Sequence, residues 1–228
     1  MSKDHPEFEW GGDANENDDN AVPRLSTGIE VLDRKLNGGI PAGCVVALSA
    51  KPASQSELFL YEMAGVRDTL YLTTERTVAD VEESLDANAT DPDRTMVREI
   101  DGAGGIDAAR DYLEDLDDGA TAIVDPIGPL EDSDPTEYRT FINDLKARTV
   151  ESGSVTVLHC LNRQQVPDQR DRTVYLADVI FDLATDHRGS TVENSLFVPK
   201  FRDGAARSEA IELDLTTNVT IDVSRKIA

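Results

Sequence analysis

Residues Leu25 to Glu57 read LSTGIEVLDRKLNGGIPAGCVVALSAKPASQSE, and the reading of this stretch decides the fold. An amphipathic opening punctuated by glycines at 28, 38, 39 and 43 leads into the apolar run CVVAL, then into a polar turn. That order predicts a buried strand over Val45–Ser49 and a helix over Ser54–Ala64, joined by a loop. A loop so placed binds phosphate when it is written G-x-x-x-x-G-K-[ST]. Its backbone N–H groups then cradle the oxygens, the lysine reaches the β- and γ-phosphates, and the hydroxyl holds Mg²⁺. Laid on this chain, the defining places fall at Ala50, Gln55, Ser56 and Glu57. Both glycines, the lysine and the hydroxyl are replaced.

Outward from this stretch, short apolar runs alternate with amphipathic ones. Strands are expected at Thr69–Thr73, Met96–Ile100, Ala120–Val124, Val155–His159 and Val179–Leu183, each short and aliphatic as strands covered on both faces require. Helices are expected at Gly28–Leu36, Val78–Ala87, Ile106–Asp115, Pro135–Glu151 and Val174–Ala177. Ser195–Phe201, Ala210–Leu215 and Val219–Val223 alternate polar and apolar residues and read as antiparallel strands. The expected fold class is α/β, a mainly parallel sheet flanked by helices with antiparallel strands added at the C-terminal end. Residues 1–22 are polar and acidic and read as a disordered tail in which Trp10 is an inert aromatic, leaving 23–228 as one domain.

The chain has 228 residues, 45 Asp and Glu against 22 Lys and Arg, and a formal net charge of −23. The acids are spread along the whole chain, which suggests a surface kept hydrated in high salt, where charges are screened beyond about 3 Å at molar ionic strength. Such a surface argues against extended nucleic-acid binding, which needs clustered cations to displace counterions. Cys44 and Cys160 sit in apolar runs and read as buried free thiols of a reducing cytoplasm. No run is long enough for a membrane span, and no basic-then-apolar signal region opens the chain.

Thr27, Gly28, Leu32, Asp33, Leu36, Gly38, Gly39, Pro41 and Gly43 match TG-x-x-x-LD-x-x-L-x-GG-x-P-x-G, and Pro52 falls on the proline of G-x-P-G-x-G-K-[ST]. The chain therefore resembles the KaiC/RadA branch of RecA-like ATPases. YLTTE (Tyr71–Glu75) is similar to the strand ending in that family's catalytic glutamate, and AIVDPIGPL (Ala122–Leu130) to its Walker B strand. VPKFRDG (Val198–Gly204) is similar to the K-x-R-G segment by which a KaiC subunit contacts nucleotide on its neighbour. The resemblance implies a RecA-like sheet, ATP with Mg²⁺ as cofactor, and assembly into rings or filaments.

It also implies roles. Ser54, Gln55, Ser56 and Asp125 fall on nucleotide-binding places, Asp125 on the Mg²⁺ ligand, Glu75 on the catalytic water-orienting acid, and Lys200 and Arg202 on a contact across subunits. Lys51 either curls back to replace the loop lysine or is a solvated loop charge. Asp125 either holds a metal or opens a turn before Pro126. Glu75 either orients water or is quenched by Arg76. Lys200 and Arg202, on one strand face, either meet an anion or partner or are surface cations. His159 reads as a packed core histidine, His5 and His187 as tail and loop residues, and no zinc spacing or nucleophile–base pair emerges.

With the phosphate cradle damaged, the leading expectation is a non-catalytic regulatory or structural homologue that needs no cofactor. Its partner would be a protein, an intact RecA/KaiC-like relative or a second copy. The alternative is a divergent ATPase using Lys51, Asp125 and Glu75, with Lys200 and Arg202 from a neighbour. A recombination accessory role ranks lowest, because the chain shows no basic stripe.

Overall fold

A computed structural model describes residues 22–101, 104–188, 191–202, 207–216 and 219–221. The expectations for the tail, including His5 and Trp10, for residues 203–204 and for 222–223 lie outside them. The described residues form a nine-stranded sheet and a separate two-stranded ribbon. The ribbon pairs β1 (Arg24–Leu25) with β2 (Ile40–Pro41), and the short helix α1 (Glu30–Lys35) is looped between them.

The TG-x-x-x-LD motif builds this opening. Asp33 accepts from Ser26 Oγ at 2.5 Å, Thr27 N at 2.8 Å and Thr27 Oγ1 at 2.7 Å, which ties the turn to the helix it precedes. Gly28 has φ +82°, and a Cβ there would stand 2.4 Å from the Glu62 carbonyl oxygen. Gly39 has φ +115°, and its Cβ would meet the Leu25 carbonyl oxygen at 2.2 Å. Only glycine accepts both the backbone and the contact.

The large sheet runs β3 (Cys44–Ala50), β4 (Thr69–Thr73), β5 (Thr95–Glu99), β6 (Thr121–Asp125), β7 (Val155–Leu161), β8 (Val179–Arg188), β9 (Thr191–Phe201), β10 (Arg207–Leu215) and β11 (Val219–Ile221) along the chain. In space the order is β11-β10-β9-β8-β3-β7-β6-β4-β5. The six strands from β8 to β5 are parallel, and β9, β10 and β11 extend the sheet antiparallel beyond β8. The expected fold class holds. The β8–β9 hairpin runs farther than the sequence suggested, to Arg188 and back from Thr191, because its polar residues occupy a ladder with one solvated face.

The helices are α2 (Glu57–Ala64), α3 (Val78–Asn88), α4 (Gly105–Glu114), α5 (Gly128–Glu131), α6 (Pro135–Glu151) and α7 (Arg170–Leu176). One core cluster lies between the sheet and α1–α3 and also covers the inner sides of β8–β11. A second lies on the opposite face under α4–α6. Among the described residues no helix is long and apolar enough to cross a membrane.

Candidate functional site

Parallel strands end at the same sheet edge, where open α/β folds bind ligands. Here β3, β7, β6 and β4 are neighbours, so the loop after β3, the ends of β6 and β7, and the turn after β4 converge. Residues 51–56 form a closed turn: the Lys51 carbonyl accepts from Ser54 N at 2.9 Å and Ser54 Oγ at 2.6 Å. Ser54 Oγ also lies 3.1 Å from Ser56 Oγ. The side chains of Lys51 and Gln55 are exposed, whereas Ser56, immediately before α2, is fully buried.

Ser56 opens a buried polar chain. Its Oγ is 2.9 Å from His159 Nε2, and His159 Nδ1 is 2.5 Å from Asp125 Oδ1. Tyr71 Oη donates to Asp125 Oδ2 at 2.5 Å. The register explains the meeting: Val124 pairs with Leu158, so Asp125 stands beside His159, and Thr73 pairs with Asp125 on the other side. With the imidazole proton on Nδ1, every atom is satisfied: Ser56 donates to Nε2, and Nδ1–H and Tyr71 O–H both donate to the carboxylate.

Burial raises the pKa of Asp125, but the hydrogen bonds from His159 and Tyr71 and the Arg76 charge outweigh it and hold the carboxyl below its ordinary value. Burial, then the charge and hydrogen bond of Asp125, push the Tyr71 hydroxyl well above its ordinary value, so it stays a donor. Arg76 is spent on Tyr61 Oη at 2.6 Å, the Asp80 carbonyl at 2.8 Å and Ser84 Oγ at 2.6 Å.

Glu75 is held by Arg163 from the loop after β7, not by Arg76. The pair lies on a groove of about 550 Å³ lined also by Pro126, Pro129, Gln164 and Pro167. Beneath it, Glu131 accepts from Arg170 Nε at 2.9 Å and Nη2 at 2.8 Å and from Thr173 Oγ1 at 2.5 Å, joining α5 to α7.

Lys200 and Arg202 lie far from Ser56 in the fold. Lys200 Nζ donates to the carbonyls of Val174 at 3.2 Å and Tyr175 at 2.7 Å at the end of α7. Burial, then the charge of Arg202, lower its pKa, against the opposing pull of Asp178. Arg202 is 3.0 Å from Asp178 Oδ1, and Asp178 also takes Lys146 and the Val45 N–H. Both cations are therefore engaged within the chain.

These residues do not suit ATP with Mg²⁺. Both oxygens of Asp125 accept hydrogen bonds from protein groups, and Ser56 faces His159. Sequence reading missed the partnership of His159 and Tyr71 with Asp125. A polar residue inside the strand VTVLHCL was its one trace, since a buried histidine needs partners.

Residues 24–228 match the model of a family of unknown function, DUF7125. The chain belongs to that family. This DUF7125 chain is similar to a UPF0273 protein of Methanopyrus kandleri, 28% identical over 149 residues, or 61% of this chain. The match spans 56% of that relative's length. It is also similar in structure to a KaiC-like protein from the hyperthermophilic archaeon Pyrococcus horikoshii. The TM-score is 0.73 at 13% identity, covering 88% of this chain and 99% of the other. The DUF7125 chain thus has a KaiC-like fold.

Proposed function

We propose that this chain is a non-catalytic member of the KaiC-like fold that works as a regulatory or structural partner of another protein. The observation that carries the reading is the buried chain Ser56–His159–Asp125–Tyr71. Phosphoryl transfer in P-loop ATPases needs a cation facing the β- and γ-phosphates and a carboxylate turned toward Mg²⁺. Here a serine bonded to histidine stands in the lysine's place, and the carboxylate is committed to protein donors. Glu57 adds negative charge where the motif has a hydroxyl. Glu75, the place of the water-orienting acid, is in an ion pair.

With the chemistry retired, the sheet edges and faces become the working parts, toward an intact relative or a second copy. Calorimetry with ATP and Mg²⁺ in molar KCl tests this. The expected result is no binding, and tight binding that Ser56→Ala or Asp125→Asn abolishes would overturn it. The exposed Lys51 supports a second reading, a divergent ATPase that also uses Glu75 and Asp125. It requires phosphate release that Lys51→Ala and Glu75→Gln each abolish.

A further inference from the structure

The antiparallel half of the sheet has a face that no described helix covers. On the side where α4 and α6 lie, the core cluster takes residues from β3, β4, β6 and β7 but none from β8, β9 or β10. The opposite side of those strands is buried through Leu183, Leu196, Val198, Ile211 and Leu213. Alternation along the strands therefore leaves Ile180, Asp182, Ala184 and Asp186 of β8 on the open side. Pairing places Phe197 opposite Asp182, Ser195 opposite Ala184 and next to Glu212, and Glu193 opposite Asp186.

Two features of this face point to an occupant. Phe197 is 40% exposed at its centre, and Tyr175 of the bordering α7 is 84% exposed. Large aromatics at that exposure are common anchors of interfaces. Around them stand carboxylates: Asp182, Asp186 and Asp214 are exposed, and Asp186 is directly opposite Glu193. Among the described side chains of this face, the cation Lys200 is engaged with the end of α7 and stands 5.8 Å from the centre of the Tyr175 ring. A second copy would bring the same carboxylates against these. The chain's own first 21 residues carry seven acids and one lysine, so they are repelled as well.

We propose that the open face of β8–β10 is the docking surface for a cationic amphipathic helix of a protein partner, seated beside α7. Its form follows from the layer: helices cover this side of the sheet as far as α7, and one more helix would continue that cover. Its apolar stripe rests on Phe197 and Tyr175, and its Lys and Arg side chains lie over Asp182, Asp186 and Asp214. This surface rests on the reading of the chain as an interaction partner, and it gives that partner a charge and a shape.

The test measures anisotropy of a labelled synthetic Leu/Lys amphipathic helix against the full chain, at low salt and in molar KCl. An otherwise identical Leu/Glu helix is the control. The Leu/Lys helix should bind and the Leu/Glu helix should not. Phe197→Asp, and separately the double variant Asp182→Asn with Asp186→Asn, should each weaken binding roughly tenfold with unchanged circular-dichroism spectra. Binding by both variants equal to the parent chain overturns the proposal, since it would mean diffuse attraction to an acidic surface. Light scattering that shows a dimer dispersed by Phe197→Asp also overturns it, in favour of a second copy. ATP binding by a chain that still docks the helix would remove the non-catalytic reading and leave this surface standing.

Discussion

Asp125 concentrates the argument at the scale of single residues. Its carboxylate is buried, accepts two short hydrogen bonds and sits beside a histidine that is itself fully buried. Replacing Asp125 with Asn exchanges an acceptor for an amide that cannot accept from both neighbours, and leaving a buried donor unsatisfied costs about 1–3 kcal/mol. Urea unfolding should show the midpoint of the Asp125→Asn variant falling by that amount of stability, with the m-value unchanged. The pH dependence has a definite sign. Because the folded-state pKa lies below the ordinary value, the contribution is complete above about pH 4 and is lost as pH falls through the lowered value. The variant should therefore have a flatter acid limb below about pH 4 than the parent. Cys160 supplies a second test. Burial first, with Glu131 adding and Arg170 opposing, pushes its thiol up to about 12. Neither Cys160 nor Cys44 is exposed, so a thiol reagent such as iodoacetamide should label both only after denaturant is added.

At the scale of elements, α6 shows how local chemistry sets a boundary. Asp134 accepts from the backbone N–H groups of Thr136 and Glu137, and Pro135 occupies the first helical position, where no N–H is needed. Asp134→Ala should lower stability by about 1 kcal/mol, read as a shift in thermal midpoint, with α6 retained. Elements of this kind were legible in the sequence: α6 runs over the expected residues, and β4 and the core of β7 lie where aliphatic runs placed them. The short α5 and the β1–β2 ribbon were not legible, because four-residue and two-residue elements carry no period. The loop turn was half legible. Ser54 joins no helix because its N–H and hydroxyl both serve the Lys51 carbonyl, which is local competition that a periodic pattern does not reveal. The site failed to read for a different reason. Ser56, Tyr71, Asp125 and His159 come from four separate elements, and only the order β3-β7-β6-β4 brings them together. Asp125 could be singled out from its own strand, but no spacing along the chain assigns His159 to it.

Across the whole molecule, charge and topology make separate statements. A net charge of −23 on 228 residues produces self-repulsion that salt screens. The thermal midpoint should rise steadily from low to molar KCl, and a midpoint that falls over that range would remove screening as the dominant effect. Topology governs the order of events during synthesis. Strand β3 is made first of the large sheet, yet its neighbours are β7, from Val155, and β8, from Val179. Strands β4, β5 and β6 pair among themselves well before either neighbour exists. The most central and most apolar strand must therefore wait beside a growing nascent sheet, and contacts so distant along the chain form slowly. Pulse-labelled hydrogen exchange during refolding should find the amides of β4 and β6 protected before those of Val45–Leu48. The hazard for a ribosome-bound chain is then an early, sticky, solitary ribbon, the kind of exposed segment that chaperones shield until its late-made flanks arrive.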